Sequence, residues 1–310
     1  MHKPPALMSA FLAATLVIAG VNVAGMAVAS EKWTATKLDA SAYPADIVEN
    51  ALEPAPGGLP DGRVATASSG DIRKAWYQSP TTRYAHAVLG DNVEAGELKV
   101  EDARGRSASL RLPENEVFED ITPRIADLDN DGLNEVVTIR SSVSKGASVT
   151  IYGMANGVLM QKATTGFIGT ANRWLNIAAI APMAGSGGQE IAFVRTPHIG
   201  GDLFIAAYAK GVFIQVAAMQ GFSDHVIGSG ELRLSAVADI NGDGKQELAL
   251  PSQDRKTLRI VGFKGRELKE IATAQLDAAI DKAIGVETSE GRISFITGLE
   301  DGSVWRVAPN

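Results

Sequence analysis

The sequence predicts an all-β chain folded as a β-propeller, with five four-stranded blades closed by an N-terminal strand. Three features of the chain lead to this fold. A strand-and-turn unit recurs along the chain, an Asp-rich nine-residue loop stands at the same place in two of the units, and the last unit is one strand short. The 310 residues hold no cysteine, which excludes disulfides, Cys-ligated zinc, iron-sulfur clusters and thiol chemistry. A net charge of −7 argues against a nucleic-acid or anionic-membrane surface over the whole molecule. With aromatics at 6%, small and β-branched residues must fill most of the core.

Residues 1–29 read as a secretory signal peptide. A short positive start at His2 and Lys3 precedes an uncharged apolar run from Ala6 to Met26, and Ala27-Val28-Ala29 fits a signal-peptidase site. The run is also long enough to be an uncleaved anchor, although Gly20, Asn22 and Gly25 interrupt it. After cleavage no second stretch could span a membrane, so the mature protein is expected to be periplasmic or secreted.

Residues 30–70 are expected to hold a closing strand followed by an irregular segment rich in Pro, Gly and Ala. Lys32 to Leu38 has a period-2 pattern and is free to complete a sheet. Residues 71–310 carry the repeat. In the first unit Ile72–Tyr77, Tyr84–Gly90, Glu97–Asp102 and Ser107–Leu112 are expected as strands one to four. In the next three, the second strand begins at Glu135, Glu190 and Glu247, and the third ends near Tyr152, Tyr208 and Phe263. The fifth has Ala283–Thr288, Arg292–Gly298 and Ser303–Val307 and then stops. Counted at the second strand the units lie 45 to 57 residues apart. Strands at such spacing also suit a β-sandwich.

Two loops point to a hard cation. Asp127-Leu-Asp-Asn-Asp-Gly-Leu-Asn-Glu135 and Asp239-Ile-Asn-Gly-Asp-Gly-Lys-Gln-Glu247 offer side-chain oxygens at positions 1, 3 and 5, a Gly at 6 and a carbonyl at 7. An EF-hand would carry its acid at position 12; here it stands at position 9, between strands. Four carboxylates in nine residues repel one another unless a cation compensates. An Asp/Asn/Gly turn without metal is the alternative. The segment Pro182 to Glu190 keeps the glycine and the last glutamate without the acids.

These loops, each followed by an apolar strand, resemble the FG-GAP or VCBS-type repeat of integrin alpha-chain propellers and many secreted bacterial proteins. The resemblance spans roughly residues 70–308. It implies a propeller with two Ca2+ sites: Asp127, Asp129, Asp131, Glu135 and the carbonyl of Leu133, and Asp239, Asn241, Asp243, Glu247 and the carbonyl of Lys245. It further implies that calcium stiffens blades rather than performs chemistry. Seven blades are the family's usual count, against the five read here.

The face opposite the calcium loops is the expected functional face. Long loops there carry Arg140, Arg173, Trp174, Asn176, Arg195, His198, His225, Arg233 and Arg255 beside Asp91, Glu119 and Asp120. Two of them share a Gly-Phe start and an Ile-Gly: Gly166-Phe-Ile-Gly169 and Gly221-Phe-Ser-Asp-His-Val-Ile-Gly228. Arg forks match carboxylate and phosphate, so the rim reads as a site for an anionic or sugar-like ligand or a protein partner. The same groups can instead pair locally. No GxSxG, Walker loop, GxGxxG in a βαβ unit or HExxH occurs.

The expected function is that of a non-enzymatic binding or interaction module. The alternative is a hydrolase or lyase acting on a phosphate ester or uronic sugar, using His198, His225, Asp91 or Glu119 for proton transfer. Whether the two histidines meet a carboxylate in a central pocket separates the two.

Overall fold

The computed structural model describes residues 31–44 and 52–310; the expected signal peptide lies outside them. Strand β1 (Glu31–Leu38) leads into a 3-10 turn at Ala40–Ala42, whose Tyr43 hydroxyl donates to the Ala283 carbonyl at 2.7 Å. Twenty further strands form three hydrogen-bonded sheets, which resolve by pairing into antiparallel groups of four. The first group is β2 (Ala65–Thr66), β3 (Ile72–Thr81), β4 (Glu94–Asp102) and β5 (Ser107–Arg111). A short β6 (Glu116–Phe118) bridges it to the second group, β7 (Arg124–Ala126), β8 (Glu135–Ser142), β9 (Gly146–Ala155) and β10 (Val158–Thr164).

The third group is β11 (Leu175–Ala181), β12 (Glu190–Arg195), β13 (Asp202–Ala209) and β14 (Val212–Gln220). The fourth is β15 (Ala236–Ala238), β16 (Glu247–Pro251), β17 (Thr257–Lys264) and β18 (Glu267–Gln275). The last group has three strands of its own, β19 (Ile280–Ser289), β20 (Arg292–Leu299) and β21 (Val304–Pro309). Strand β1 supplies its fourth, antiparallel to β21 from Trp33 opposite Pro309 to Leu38 opposite Val304. Its first residues also run parallel to β18.

Burial grades along each group for a reason visible in the residues. The middle strands are continuous apolar runs such as Glu135-Val-Val-Thr-Ile, buried on both faces. Outer strands alternate, as in β5, or leave most positions exposed, as in β14. Four apolar clusters lie between successive groups. One joins Leu98 and Tyr77 to Val136 and Tyr152, and the next joins Val149 and Ile151 to Leu175 and Ile191. A third joins Val194 and Leu203 to Leu250 and Val261, and the last joins Leu258 and Ala272 to Phe295, Trp33 and Trp305. The second, third and fourth groups therefore bury both faces against their neighbours, a propeller-like packing of successive sheets.

The first group differs from the sequence reading. Ile72–Thr81 is its second strand, not its first; the first is the two-residue β2, and Tyr84–Gly90 forms no strand. This segment runs inward instead. The Val88 carbonyl accepts from Gly228 N at 2.9 Å, and Val88 packs in the same cluster as Trp174. Ala87 at φ 54 breaks the extended backbone there.

Candidate functional site

The two faces of the structure carry different chemistry. On one, the loop from β7 to β8 draws the carboxylates of Asp127, Asp129 and Glu135 together, with one oxygen of each within 4.8 Å of the others. This group can hold a metal ion. Local geometry shapes it: Asp127 accepts from the backbone N–H of Asp131 at 3.1 Å and of Gly132 at 2.9 Å, and Asp131 accepts from Leu133 N at 2.8 Å. Glu135 accepts from Leu128 N at 3.1 Å, while a buried oxygen of Asp129 has no hydrogen-bond partner. Burial, then the neighbouring acids, pushes Glu135 up to about 7 and raises Asp129 as well. An orphan oxygen among acids that raise one another suits a hard cation with oxygen ligands.

The other two loops satisfy the same glutamate differently. In the acid-free loop Glu190 accepts from the N–H groups of Met183, Ala184 and Ser186 at 2.6, 3.0 and 3.1 Å, so backbone donors surround it. In the loop from β15 to β16 the Asn241 amide donates to Glu247 at 2.9 Å, and Asp239 accepts from Gly242, Asp243 and Gly244. Asp243 is turned to Lys245 N at 2.9 Å. Here an amide N–H lies where the first loop presents an unpaired carboxylate oxygen. The loops also brace one another: Gln189 N donates to the Leu128 carbonyl at 2.9 Å, and Asn130 donates to Gly187 O at 2.6 Å.

On the opposite face the expected residues separate into a paired rim and a buried centre. Arg140 pairs with Glu116 and donates to Gln161 at 2.6 Å. Arg195 pairs with Asp202 at 2.9 Å, Arg233 with Glu231 at 2.7 Å, and Arg255 donates to the Ile280 carbonyl at 3.0 Å. Arg173 donates to the Asn172 carbonyl at 3.2 Å. Each of these guanidiniums is engaged by a neighbouring acid or backbone carbonyl.

Trp174, Asn176 and His225 are buried, and His198 is half-buried. His198 Nε2 and His225 Nδ1 lie 3.0 Å apart, with His225 Nε2 2.8 Å from the Ser229 carbonyl. The Trp174 ring lies parallel to His198 at 6.3 Å and tilted on His225 at 4.6 Å. Burial lowers both histidines to about 4, so each is neutral at pH 7. Asn176 donates to Asp224, whose carboxyl is fully buried and held well above its usual range by that burial.

Neither of those histidines meets a carboxylate. The pairing instead joins His86 to Glu119, at 2.5 Å. Glu119 is fully buried, is raised by that burial, and also accepts from the Ser141 hydroxyl. The Trp174 indole donates to the Glu119 backbone carbonyl at 3.0 Å. Glu94, which the sequence reading missed, is 2% exposed, and burial followed by the charges of Glu119, Asp91 and Asp61 pushes it up to about 9. Asp120 is likewise buried, bound by Tyr77 at 2.7 Å and Arg124 at 2.5 Å. Beside this centre, a cleft of about 680 Å³ is lined by Asp61, Arg63, Arg124 and Arg233.

Sequence comparison finds no matching family and no matching curated protein. Structures do match. The rhamnogalacturonan lyase YesW superposes with a TM-score of 0.51 at 15% identity, over 89% of this chain and 53% of that one. A Bacillus licheniformis rhamnogalacturonan lyase gives 0.48 at 15% identity, over 87% and 51%. A Trypanosoma rangeli sialidase gives 0.41 at 9%, over 79% and 44%. The fold is propeller-like. The chain spans about half the length of the lyases it matches. Among the described residues no helix is long and apolar enough to cross a membrane.

Proposed function

We propose that the protein is an extracytoplasmic, calcium-stabilised binding module: five blades of the FG-GAP type, with β1 clasping the last blade to close the ring. Calcium would sit in the loop Asp127 to Glu135 with Asp129 as a ligand, and would hold the loop of Asp239, Asn241, Asp243 and Glu247 more weakly, because Asn241 already serves Glu247. Supporting the binding reading is one observation above the rest: His198 and His225 bond to each other, not to a carboxylate. A pair of neutral imidazoles wedged against Trp174 positions loops and has no acid to orient it for proton transfer.

A second reading keeps some support from the likeness to YesW and from Glu94, a buried acid near Glu119 and His86. On that reading the face would act on an anionic substrate such as a uronic sugar or phosphate ester. Incubation with rhamnogalacturonan, polygalacturonate and a phosphate monoester separates the two. The binding reading predicts no unsaturated product and no phosphate release; turnover that disappears in Glu119→Gln would overturn it.

A further inference from the structure

The Gly166-Phe-Ile-Gly169 segment, which β10 feeds into, folds over the face of the third sheet and leaves a slot of about 320 Å³. Phe193 and Phe204 form its floor, stacked at 5.4 Å with their planes 18° apart, and Phe167 and Phe213 complete its aromatic lining. The flap hangs between two glycines at φ 77 and 106, and Ile168 N and Gly169 N anchor its far half on Ala147 O at 3.0 Å and Lys145 O at 2.8 Å. The volume suits a small molecule, and the walls mix aromatic and aliphatic side chains with the polar groups of Thr164, Thr165, Arg195 and Gln215.

The polar groups decide the ligand class. Arg195 lies over Phe204, 4.7 Å from the ring centroid, and gives one N–H to Asp202 at 2.9 Å, leaving further guanidinium donors free. Gln215 brings an exposed amide that makes no hydrogen bond in the protein. Because Asp202 cancels the charge of Arg195, the slot offers planar hydrogen-bonding forks without net charge. Such forks match paired hydroxyls, and the aromatic walls match the apolar face of a ring.

We propose that this slot binds one neutral hexose ring, its C–H face against the phenylalanines and its hydroxyls on Arg195 and Gln215. The proposal rests on the binding-module reading and names its ligand. It gives the Gly-Phe-Ile-Gly motif a role as the flap over the sugar.

Saturation-transfer NMR on the purified protein with glucose, galactose, mannose and rhamnose, each against benzoate and galacturonate, tests it. At least one neutral hexose should receive saturation in preference to both acids. Gln215→Ala, an exposed change, should weaken that binding about fivefold, the worth of one hydrogen bond, with the melting temperature unchanged, and Phe167→Ala, in the flap, should weaken it by a similar factor while also losing the Arg140 contact to its ring. Four silent hexoses, a preference for benzoate or galacturonate, or binding indifferent to both variants would overturn the slot. Calcium stabilisation and the absence of turnover would stand in each of those cases, so failure here is distinguishable from failure of the module.

Discussion

Removing the indole of Trp33 tests the closing strand. Trp33 is 7% exposed, stacks on Phe295 at 5.9 Å, and shares a cluster with Leu258, Ala272 and Trp305. It is also the first residue in register with β21, opposite Pro309. Trp→Ala at such a position costs about 3–5 kcal/mol, from lost burial plus the cavity left behind. In a protein of this size about 2 °C is lost per kcal/mol, so Trp33→Ala should melt about 6–10 °C below wild type by scanning calorimetry. Thr36→Ala, on the same strand but exposed, is the control and should shift the midpoint by less than about 1 °C. If the two variants melt alike, β1 does not hold the last sheet and the closure argument fails.

Other expectations follow from single contacts. Glu94 is neutral in the folded protein up to about pH 9 but ionised in the unfolded chain above its ordinary range, so it costs stability increasingly as pH rises from about 5 to 9. Glu94→Gln removes that cost, and its melting midpoint should exceed wild type by a margin that widens over this interval in a pH series. For His225 the sign reverses: the unfolded chain takes up protons below about 6.5 while the folded imidazole waits until about 4, so this pair destabilises the fold as pH falls through that window. His225→Gln should flatten the acid limb of urea-unfolding curves. Gly201→Ala would place a Cβ 1.7 Å from the Phe222 carbonyl at a left-handed φ of 54, and should cost about 3 kcal/mol or more in urea unfolding. Asn241→Asp removes the amide that occupies Glu247, and should raise calcium stoichiometry or affinity at the second loop by isothermal titration.

Local pattern was legible in the sequence; partner choice was not. The loops at Asp127, Pro182 and Asp239 lie between first and second strands, because a nine-residue signature carries its own turn. Lys32 to Leu38 could be assigned as a closing strand because the last unit lacked one, and β1 pairs there. Tyr84 to Gly90 misled for a physical reason. Tyr84 and Val88 are buried and Ala85 is exposed, an alternation that imitates a strand, yet the segment buries these residues toward the centre and turns at Ala87. The true first strand, β2, is two residues long and follows Gly- and Pro-rich chain, too short for any periodicity to register.

Arginines on the rim were recognisable as a class, but Arg140 finds Glu116 and Arg195 finds Asp202 only once the strands pair. The same holds for His86 and Glu119, 33 residues apart, and for Glu94, whose burial comes from neighbours distant in sequence. The slot over Phe193 and Phe204 had one sequence signal, the Gly-Phe-Ile-Gly flap, whose partner surface lies on the four strands of the third sheet.

Calcium dependence of the melting midpoint decides whether a bound metal stiffens this fold. The purified protein should carry calcium. At a hundredfold excess over its Kd, the ion is worth about 2.7 kcal/mol, so chelation should lower the midpoint by about 5 °C. Asp129→Ala should abolish that difference. A midpoint unmoved by chelator, with no metal in the purified protein, would contradict a calcium-stabilised propeller.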